Sequence, residues 1–305
     1  MEHSEVEALA HERAQARRDK DFARADELRD AIDTAGWKVV DTPDGFELVE
    51  KPPFAVFGSL AEIDVQITAP VVVTVIVDGW PQDVDTCLSA LVEHAPKDSM
   101  VLAIDCGNVD GAGVQVADWE KSHPDQVRAV HVESTLQQLG WAPVVRAAIE
   151  MAECEAFAIM DMSTVLEGDA FTPMLQALEE SGVVASGWRG VNVNVEDAWR
   201  TFVDAGPGEV DAVLGYAMVV RTSAAKEVGP DTKARFYRNA DMEWCLLLRE
   251  AGGRIVVPAG GLPLRQDRHH GYHDSDPAYR DKQSKKTYDR ILQRFRGKTE
   301  ILAPR

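Results

Sequence analysis

The sequence predicts an α/β protein in which a mainly parallel sheet is flanked by helices, preceded by a small helical hairpin and a β-hairpin. Short apolar runs such as residues 71–77 are rich in β-branched residues and are typical of buried strands. They alternate with helical segments, which indicates parallel strands. The run at residues 157–160 leads directly into Asp161, and ligands of open α/β sheets bind beyond the carboxyl ends of strands. We therefore expect a ligand site around Asp161.

The composition limits the classes of function. The 305 residues are 45% hydrophobic, enough for a sizeable core, and their net charge is −19. Such acidity argues against a general nucleic-acid binder and against docking on anionic lipid, because both need basic surface. The four cysteines form no CxxC pair, which fits a reducing cytosol. We see no transmembrane run and no signal peptide, so we expect a cytoplasmic protein.

The composition and motifs change along the chain and suggest four regions. These are an N-terminal module at residues 1–50, a linker at 51–70, the main domain at 71–275 and a basic C-terminal helix and tail at 276–305. In the module, residues 4–18 and 22–35 are rich in helix formers and Gly36 follows as a stop signal. Asp44-Gly45, between two apolar runs, indicates a hairpin turn.

The N-terminal module also resembles a known piece of another protein family. Its stretch from Lys20 to Asp30, followed by Gly36 and residues 40–45, is similar to the C-terminal tail of cysteinyl-tRNA synthetases, which lies in the tRNA-facing part of those enzymes. The module has 7 Lys and Arg against 14 Asp and Glu, which is a poor footprint for RNA. We expect a docking or oligomerisation module, compatible with a homo-oligomer, although an RNA- or synthetase-associated adaptor is an alternative.

The main domain is predicted to alternate strands and helices. Strands are expected at residues 71–77, 101–104, 127–132, 157–160, 182–186, 210–221 and 255–257. Helices are expected at residues 85–94, 141–152 and 171–180, from about Asp241 to Gly252, and in the tail to about Arg296. Loops rich in Asp and Gly follow the first two strands, at residues 78–81 and 105–111.

This layout resembles a family-2 glycosyltransferase of the GT-A fold, which is Rossmann-like. The ordered match is carried by residues 73–77 with 105–111, by Asp161-Met162-Ser163 as an Asp-x-Asp signature, by residues 215–221, and by residues 240–252 as a Glu-Asp-x-Asp helix start. Two positions depart from the family: Ser163 replaces the last Asp of the signature, and Ala240 replaces the Glu before Asp241. The resemblance implies a nucleotide-diphosphate sugar as donor, an acceptor of unknown structure, and a divalent metal, Mg²⁺ or Mn²⁺.

Several residues are candidates for the donor and metal site. A carboxylate such as Asp161 offers oxygen ligands to a hard cation, although a turn or helix cap is the plainer role for an Asp. We expect Asp161 and Ser163 to hold the metal, with His270 from the tail as a further ligand. The resemblance implies that Asp78 and Asp105 contact the nucleoside, together with Asp161. Turn formation is the alternative role for both residues.

The resemblance places Asp241 at the position of the general base, while a helix N-cap is the alternative. Four further substrate candidates each have a structural alternative: Arg146, Trp188, Tyr216 and Glu243. The sequence thus predicts an inverting, metal-dependent glycosyltransferase. A non-catalytic binder of sugar nucleotides or glycans is the main alternative, which Ser163 and Ala240 favour. A nucleotidyltransferase is a weaker one, because a basic, phosphate-gripping Gly-rich loop is not visible.

Overall fold

The computed structural model describes residues 1–43 and 45–305. The chain forms two compact units, residues 1–55 and residues 56–305. Residues 56–70, which the sequence assigned to a linker, belong to the larger unit. There the Phe57 N–H donates to His131 O, and the strand Ile67–Thr68 pairs in parallel with Ala152–Glu153.

The smaller unit is the expected helical hairpin followed by a β-hairpin. Its elements are α1 (His3–Arg18), α2 (Phe22–Thr34), β1 (Trp37–Thr42) and β2 (Gly45–Glu50). Asp21 caps α2 by accepting a hydrogen bond from Arg24 N. Val6, Ala10 and Ile32 form the centre of a small core. The predicted turn residue Asp44 lies outside the described residues.

The larger unit contains the remaining elements. Its strands are β3 (Ile67–Thr68), β4 (Val71–Val77), β5 (Met100–Cys106), β6 (Val127–Val132), β7 (Ala152–Glu153), β8 (Ala156–Met160), β9 (Thr164–Leu166), β10 (Val183–Gly187), β11 (Gly190–Val193), β12 (Phe202–Ala205), β13 (Gly208–Glu209), β14 (Ala212–Val213), β15 (Ala217–Arg221), β16 (Arg254–Val257) and β17 (Leu264–Gln266). Its α-helices are α3 (Pro81–His94), α4 (Ala112–Ser122), α5 (Leu136–Leu139), α6 (Trp141–Met151), α7 (Phe171–Glu179), α8 (Thr222–Glu227), α9 (Ala240–Glu250), α10 (His270–His273) and α11 (Pro277–Phe295).

An eight-stranded sheet is the centre of the larger unit, in the order β13-β16-β10-β15-β8-β4-β5-β6. Strands β6, β5, β4 and β8 are parallel neighbours, whereas β15 runs antiparallel between β8 and β10. The expected mainly parallel α/β sheet is therefore confirmed. Side chains alternate between its two faces: Val72 belongs to one buried core, and Val71 and Val73 to the other.

The structure differs from the sequence prediction in one element near the site. Residues 210–221 were expected to form a single strand, but they form β14 and β15 with a turn between them. At that turn the Gly215 N–H donates to the Asp241 carboxylate and not to a neighbouring strand. The hydrophobic pattern alone hides this break, because Leu214 and Tyr216 continue the apolar run on either side of Gly215.

Two further predictions concerned the cysteines and membrane-spanning helices. All four cysteines are free thiols, and Cys87, Cys106 and Cys245 are buried. Burial raises the pKa of the Cys245 thiol to about 12, which makes it unreactive near neutral pH. Across residues 1–43 and 45–305, no helix is long and apolar enough to cross a membrane.

Candidate functional site

A cavity of about 680 Å³ opens at the carboxyl edge of the central sheet. Asp78 directly follows β4 and Asp161 directly follows β8, and both line this cavity. Adjacent parallel strands end at the same edge, which explains why two residues far apart in sequence meet here. Ser163, Tyr216, Asp241 and His270 line the same cavity, so six of the residues singled out in the sequence are brought together.

Asp161 is held in a fixed orientation by Ser163. Its Oδ1 accepts hydrogen bonds from the Ser163 N–H, at 2.8 Å, and from the Ser163 hydroxyl. Burial would raise the pKa of Asp161, but contacts with His269 and Ser163 outweigh it and leave the pKa below its usual value. Asp161 is thus a carboxylate near neutral pH. Because the Ser163 hydroxyl donates to Asp161, the role that the structure gives Ser163 is to position that carboxylate.

The histidine beside Asp161 is His269, and not His270 as the sequence analysis expected. His269 Nε2 lies 3.1 Å from Asp161 Oδ2, and the ring stacks on Tyr237 with centroids 4.6 Å apart. His269 is only 9% exposed, and within the described chain its Nε2 has no aligned hydrogen-bond partner. His270 instead stacks on Trp80 and places Nδ1 2.6 Å from Asp274 Oδ2.

Strand pairing explains how the tail brings His269 to Asp161. Strand β17 runs antiparallel to β9, which begins three residues after Asp161. The Asp267 N–H then donates to Ser163 O at 2.8 Å, and this bond fixes the chain two residues before His269. The sequence analysis missed this strand. The sequence signal for this strand is only the three-residue run Leu264-Arg265-Gln266.

The donor atoms at Asp161 suit a divalent cation that is shared with a phosphate ligand. A carboxylate oxygen and an imidazole nitrogen without an aligned partner face each other at 3.1 Å. Throughout the part of the chain that is described, no group of three or more His, Cys, Asp or Glu residues could hold a metal by itself. Cations such as Mg²⁺ are usually bound by one or two protein carboxylates plus substrate phosphates. The two residues therefore fit a metal that a diphosphate helps to bind.

Asp78 and Asp83 are further acidic side chains in the cavity lining around Asp161. Burial raises the pKa of Asp78 to about 7, and the negative charge of Asp161 contributes in the same direction. Asp83, on α3, was not singled out in the sequence. Its Oδ2 lies 3.9 Å from His270 Nε2, and burial also raises its pKa. A diphosphate can enter such a site only with a compensating positive charge.

Asp241 lies in the first turn of α9, in the same cavity. Its Oδ2 accepts a hydrogen bond from Gly215 N and its Oδ1 one from its neighbour Met242 N, both at 2.8 Å. Burial raises the pKa of Asp241 to about 6, although these two hydrogen bonds lower it in part. The residue at the N-cap position is Asn239, with a φ of 70°, so Asp241 is not the cap that the plainer interpretation required.

Asp105 is the second-last residue of β5 and does not line the cavity. It is 1% exposed, its Oδ2 lies 3.0 Å from His131 Nδ1, and its Oδ1 accepts a hydrogen bond from Asn108 N at 3.1 Å. A Cβ at Gly113 would lie 2.2 Å from its Oδ2, so α4 packs directly against this carboxylate. In the structure Asp105 holds the loop after β5, and its expected contact with a nucleoside stays a prediction.

Three of the four substrate candidates also lie away from the cavity lining. Arg146 Nε donates to Pro230 O, Glu243 is paired with Arg290, and the Trp188 ring lies under the Arg189 guanidinium at 4.4 Å. Tyr216 is the exception: it lines the cavity, with its ring edge towards His269. Side chains that line the cavity and that the sequence analysis did not select include Arg189, Tyr237, Arg238 and Tyr272.

Comparison of the fold with solved structures identifies two glycosyltransferases of similar fold. The mannosyltransferase PcManGT from Pyrobaculum calidifontis, solved in complex with GDP-Man and Mn²⁺, is 17% identical with a TM-score of 0.51; the match covers 68% of this chain and 58% of that one. GalNAc-T7, solved with UDP, GalNAc and Mn²⁺, is 10% identical with a TM-score of 0.58; the match covers 74% and 48%. At these identities the likeness shows the fold, which is the expected GT-A type.

The sequence comparisons concern only the N-terminal segment. Cysteine--tRNA ligase 1 of Burkholderia lata is 54% identical over 43 residues, and the ligase of Enterococcus faecalis is 52% identical over 42 residues. Each match covers 14% of this chain and 9% of the ligase, so the chain spans under a tenth of those proteins. No family model matches the chain.

Proposed function

We propose that this protein is a glycosyltransferase that moves a sugar from a nucleotide-diphosphate sugar to an acceptor hydroxyl. One observation carries the proposal: Asp161, paired with His269, and Asp241 line a single cavity at the carboxyl edge of a GT-A sheet. Asp161 and His269 offer ligands to a cation that a diphosphate also binds, and Asp241 offers a base. The ligands of the structural neighbours, GDP-Man in one and UDP and GalNAc in the other, support the choice of substrate class.

In this proposal Asp161 and His269 hold the metal together with the donor diphosphate, and Ser163 orients Asp161. When bound, a divalent metal neutralises charge that develops on the diphosphate. Asp78 faces the donor beside Asp161, and we assign it to the nucleotide side of the cavity. The metal set differs from the sequence prediction in two residues: His269 replaces His270, and Ser163 orients Asp161 instead of binding the metal.

Asp241 would act as the general base. The acceptor oxygen attacks the anomeric carbon and forms the new C–O bond, its proton passes to the Asp241 carboxylate, and the bond from the anomeric carbon to the diphosphate oxygen breaks. The electrons of that bond leave with the nucleoside diphosphate. A single displacement from the opposite face inverts the configuration at the anomeric carbon. A pKa of about 6 leaves Asp241 mostly ionised at neutral pH and still basic enough to accept the proton.

The first experiment measures thermal unfolding against a panel of nucleoside diphosphates with and without Mn²⁺. Ligands that bind only the folded protein raise its midpoint by mass action. We expect one nucleotide to give a shift that needs Mn²⁺ and that Asp161→Asn abolishes. Asp118→Asn, an exposed Asp on α4, is the matched control and should keep the shift. No shift with any nucleotide would overturn the proposal.

A non-catalytic sugar-nucleotide binder is the second candidate. It is favoured by the hydrogen bonds of Asp241, because each of its oxygens already accepts one from a backbone N–H. A binder would show the same Mn²⁺-dependent thermal shift as an enzyme. The two are separated by incubating the wild-type chain with the sugar nucleotide and an acceptor mixture and measuring free nucleoside diphosphate. Steady release of the diphosphate that Asp241→Asn abolishes identifies the transferase.

A further inference from the structure

A second depression, which we call the basic groove, opens beside the main cavity and is about 520 Å³ in volume. Arg200, Lys285 and Tyr288 line it, while Arg238 and Asn239 line both the groove and the cavity. The two spaces are therefore adjacent. Asn239 precedes α9, whose second residue is Asp241, so the shared boundary lies next to the candidate base.

The groove is positively charged in a chain whose net charge is −19. Lys285 is paired with Asp289 at 2.6 Å, and Asp281, the one acid that lines the groove, is paired with Arg280 at 2.9 Å. Among the described residues, neither Arg200 nor Arg238 has a carboxylate within ion-pair distance; Arg238 contacts only the hydroxyl and ring of Tyr272. Two guanidinium groups thus remain available to a ligand.

The backbone around Arg200 is held in place before any ligand binds. The Tyr288 hydroxyl bridges the carbonyl oxygens of Trp199 and Arg200, at 3.0 Å to each, and so ties this loop to α11. Trp199 has a φ of 70°, a left-handed conformation that surrounding contacts must maintain. The Asn239 side chain donates to Ser284 O at 3.0 Å and ties α11 to the start of α9. A rigid frame lowers the entropic cost of binding.

Ser284 lines the groove and is 6% exposed, but its hydroxyl oxygen is covered and is not presented to a ligand. The features that the groove offers are therefore two arginines without a carboxylate partner and a fixed backbone.

We propose that the basic groove binds the acceptor and that the acceptor carries a carboxylate or phosphate group. The inference rests on the proposed function, because it assigns the acceptor to that reaction. The planar guanidinium matches the paired oxygens of carboxylate and phosphate, whereas the main cavity contains Asp78, Asp161 and Asp241 and is already assigned to the donor. The acceptor therefore binds with its anionic end at Arg200 and its hydroxyl end towards Asp241.

The test uses three probes of similar size: glucose, glucuronate and glucose 6-phosphate. Each is titrated into the full chain at low ionic strength, and its dissociation constant is measured. We expect at least one charged probe to bind more tightly than glucose by about tenfold or more, as suits a hydrogen bond to a charged group. Arg200→Glu should abolish that preference. Lys286→Glu makes the same charge change on an exposed residue of α11 outside the groove and should not affect it.

Each outcome decides the proposal. Preference for glucuronate alone identifies a carboxylate acceptor, and preference for glucose 6-phosphate alone identifies a phosphorylated one. Equal binding of all three probes, or a preference that survives in Arg200→Glu, overturns the inference. The Mn²⁺-dependent shift with nucleoside diphosphates is measured in the same samples. If that shift is present without anion preference, only the acceptor assignment fails. If anion preference appears without the shift, the transferase proposal fails, and the groove is then an anion site without an acceptor role.

Discussion

Asp161 and Asp241 line one cavity, yet their surroundings move their pKa values in opposite directions. Asp161 has His269 as a neighbour and accepts two hydrogen bonds from Ser163, and its pKa falls. Asp241 has only backbone N–H donors to offset burial, and its pKa rises to about 6. Two carboxyl groups with separated pKa values suit two roles. The group whose pKa is lowered suits a cation, and the group whose pKa is raised to about 6 suits proton transfer.

At the residue scale, Asp241→Asn should lower kcat while donor binding persists. The amide keeps the size of the side chain but cannot accept the acceptor proton, so we expect a loss of about 10²- to 10⁴-fold. Release of nucleoside diphosphate measures kcat, and the Mn²⁺-dependent thermal shift reports donor binding. A variant that keeps wild-type turnover would exclude Asp241 as the base.

The pH dependence follows from the same residue. Asp241 must be ionised to accept a proton, and its pKa is about 6. We therefore expect kcat/KM to be level above that pH and to fall about tenfold for each unit below it. The rate is measured between pH 4.5 and pH 8 with the donor fixed. An acidic limb that is unchanged in Asp241→Asn would assign the titration to another group.

His269 and His270 provide a matched pair. Only His269 lies beside Asp161, so His269→Ala should raise the Mn²⁺ concentration for half-maximal turnover by about tenfold or more. His270→Ala removes a contact with Asp274 at the rim and should leave that concentration within about twofold of the wild type. Equal effects of the two variants would contradict the placement of His269.

At the element scale, β4 could be predicted because both of its faces are buried, so that residues 71–77 form an unbroken apolar run. Residues 127–132, at the edge of the sheet, were also predicted with the observed bounds. Strands β9, β11, β12 and β17 were not predicted. Each is three or four residues long and is defined by its partner rather than by its own pattern.

The same reason explains which parts of the site could be predicted. Asp78, Asp161 and Asp241 follow or begin long regular elements, and the structure brings them together. Choosing among His269, His270 and His273 required the register between β17 and β9, which joins residues a hundred positions apart. Asp105 comes after an apolar run in the sequence as Asp161 does, but it lies within β5, and α4 and His131 pack against it. A sequence pattern does not contain such tertiary contacts.

The prediction at the element scale concerns an ion pair between two helices. Glu243 on α9 accepts two hydrogen bonds from Arg290 on α11, at 2.8 and 2.7 Å, and the Glu243 side chain is 4% exposed. Arg290→Met leaves a buried carboxylate without its partner and should lower the free energy of unfolding by about 3–5 kcal/mol.

The double variant Glu243→Gln/Arg290→Met removes both charges and should recover most of that loss. Urea unfolding midpoints measure both variants, and the wild type and Glu243→Gln complete the cycle. If the double variant is no more stable than Arg290→Met, the pair does not act through its charges. A change in donor binding would point back to the substrate role first expected for Glu243.

At the scale of the whole molecule, the negative charge of the chain opposes the binding of anionic ligands. A chain of net charge −19 is proposed to bind a diphosphate in a cavity lined by several aspartates. In this proposal a cation at Asp161, together with Arg189 of the cavity lining, supplies positive charge for the donor, and Arg200 and Arg238 supply it for an anionic acceptor. Added salt should therefore weaken binding of the acceptor in the exposed groove more than binding of the donor at the largely buried Asp161.

The division into two units leads to a prediction about residues 1–55. Every residue that lines the cavity and the groove belongs to the unit of residues 56–305, which has its own large core. A chain of residues 56–305 should therefore fold and keep the Mn²⁺-dependent nucleotide shift and turnover of the full chain. Residues 1–55 alone are marginal, since a unit of this size buries little surface around Val6, Ala10 and Ile32. Circular dichroism, thermal unfolding and nucleoside diphosphate release are compared between the two chains at equal concentration. Retained turnover with a lower oligomeric state by light scattering would support an assembly role for residues 1–55, whereas lost turnover in a folded fragment would place part of the functional site in that unit.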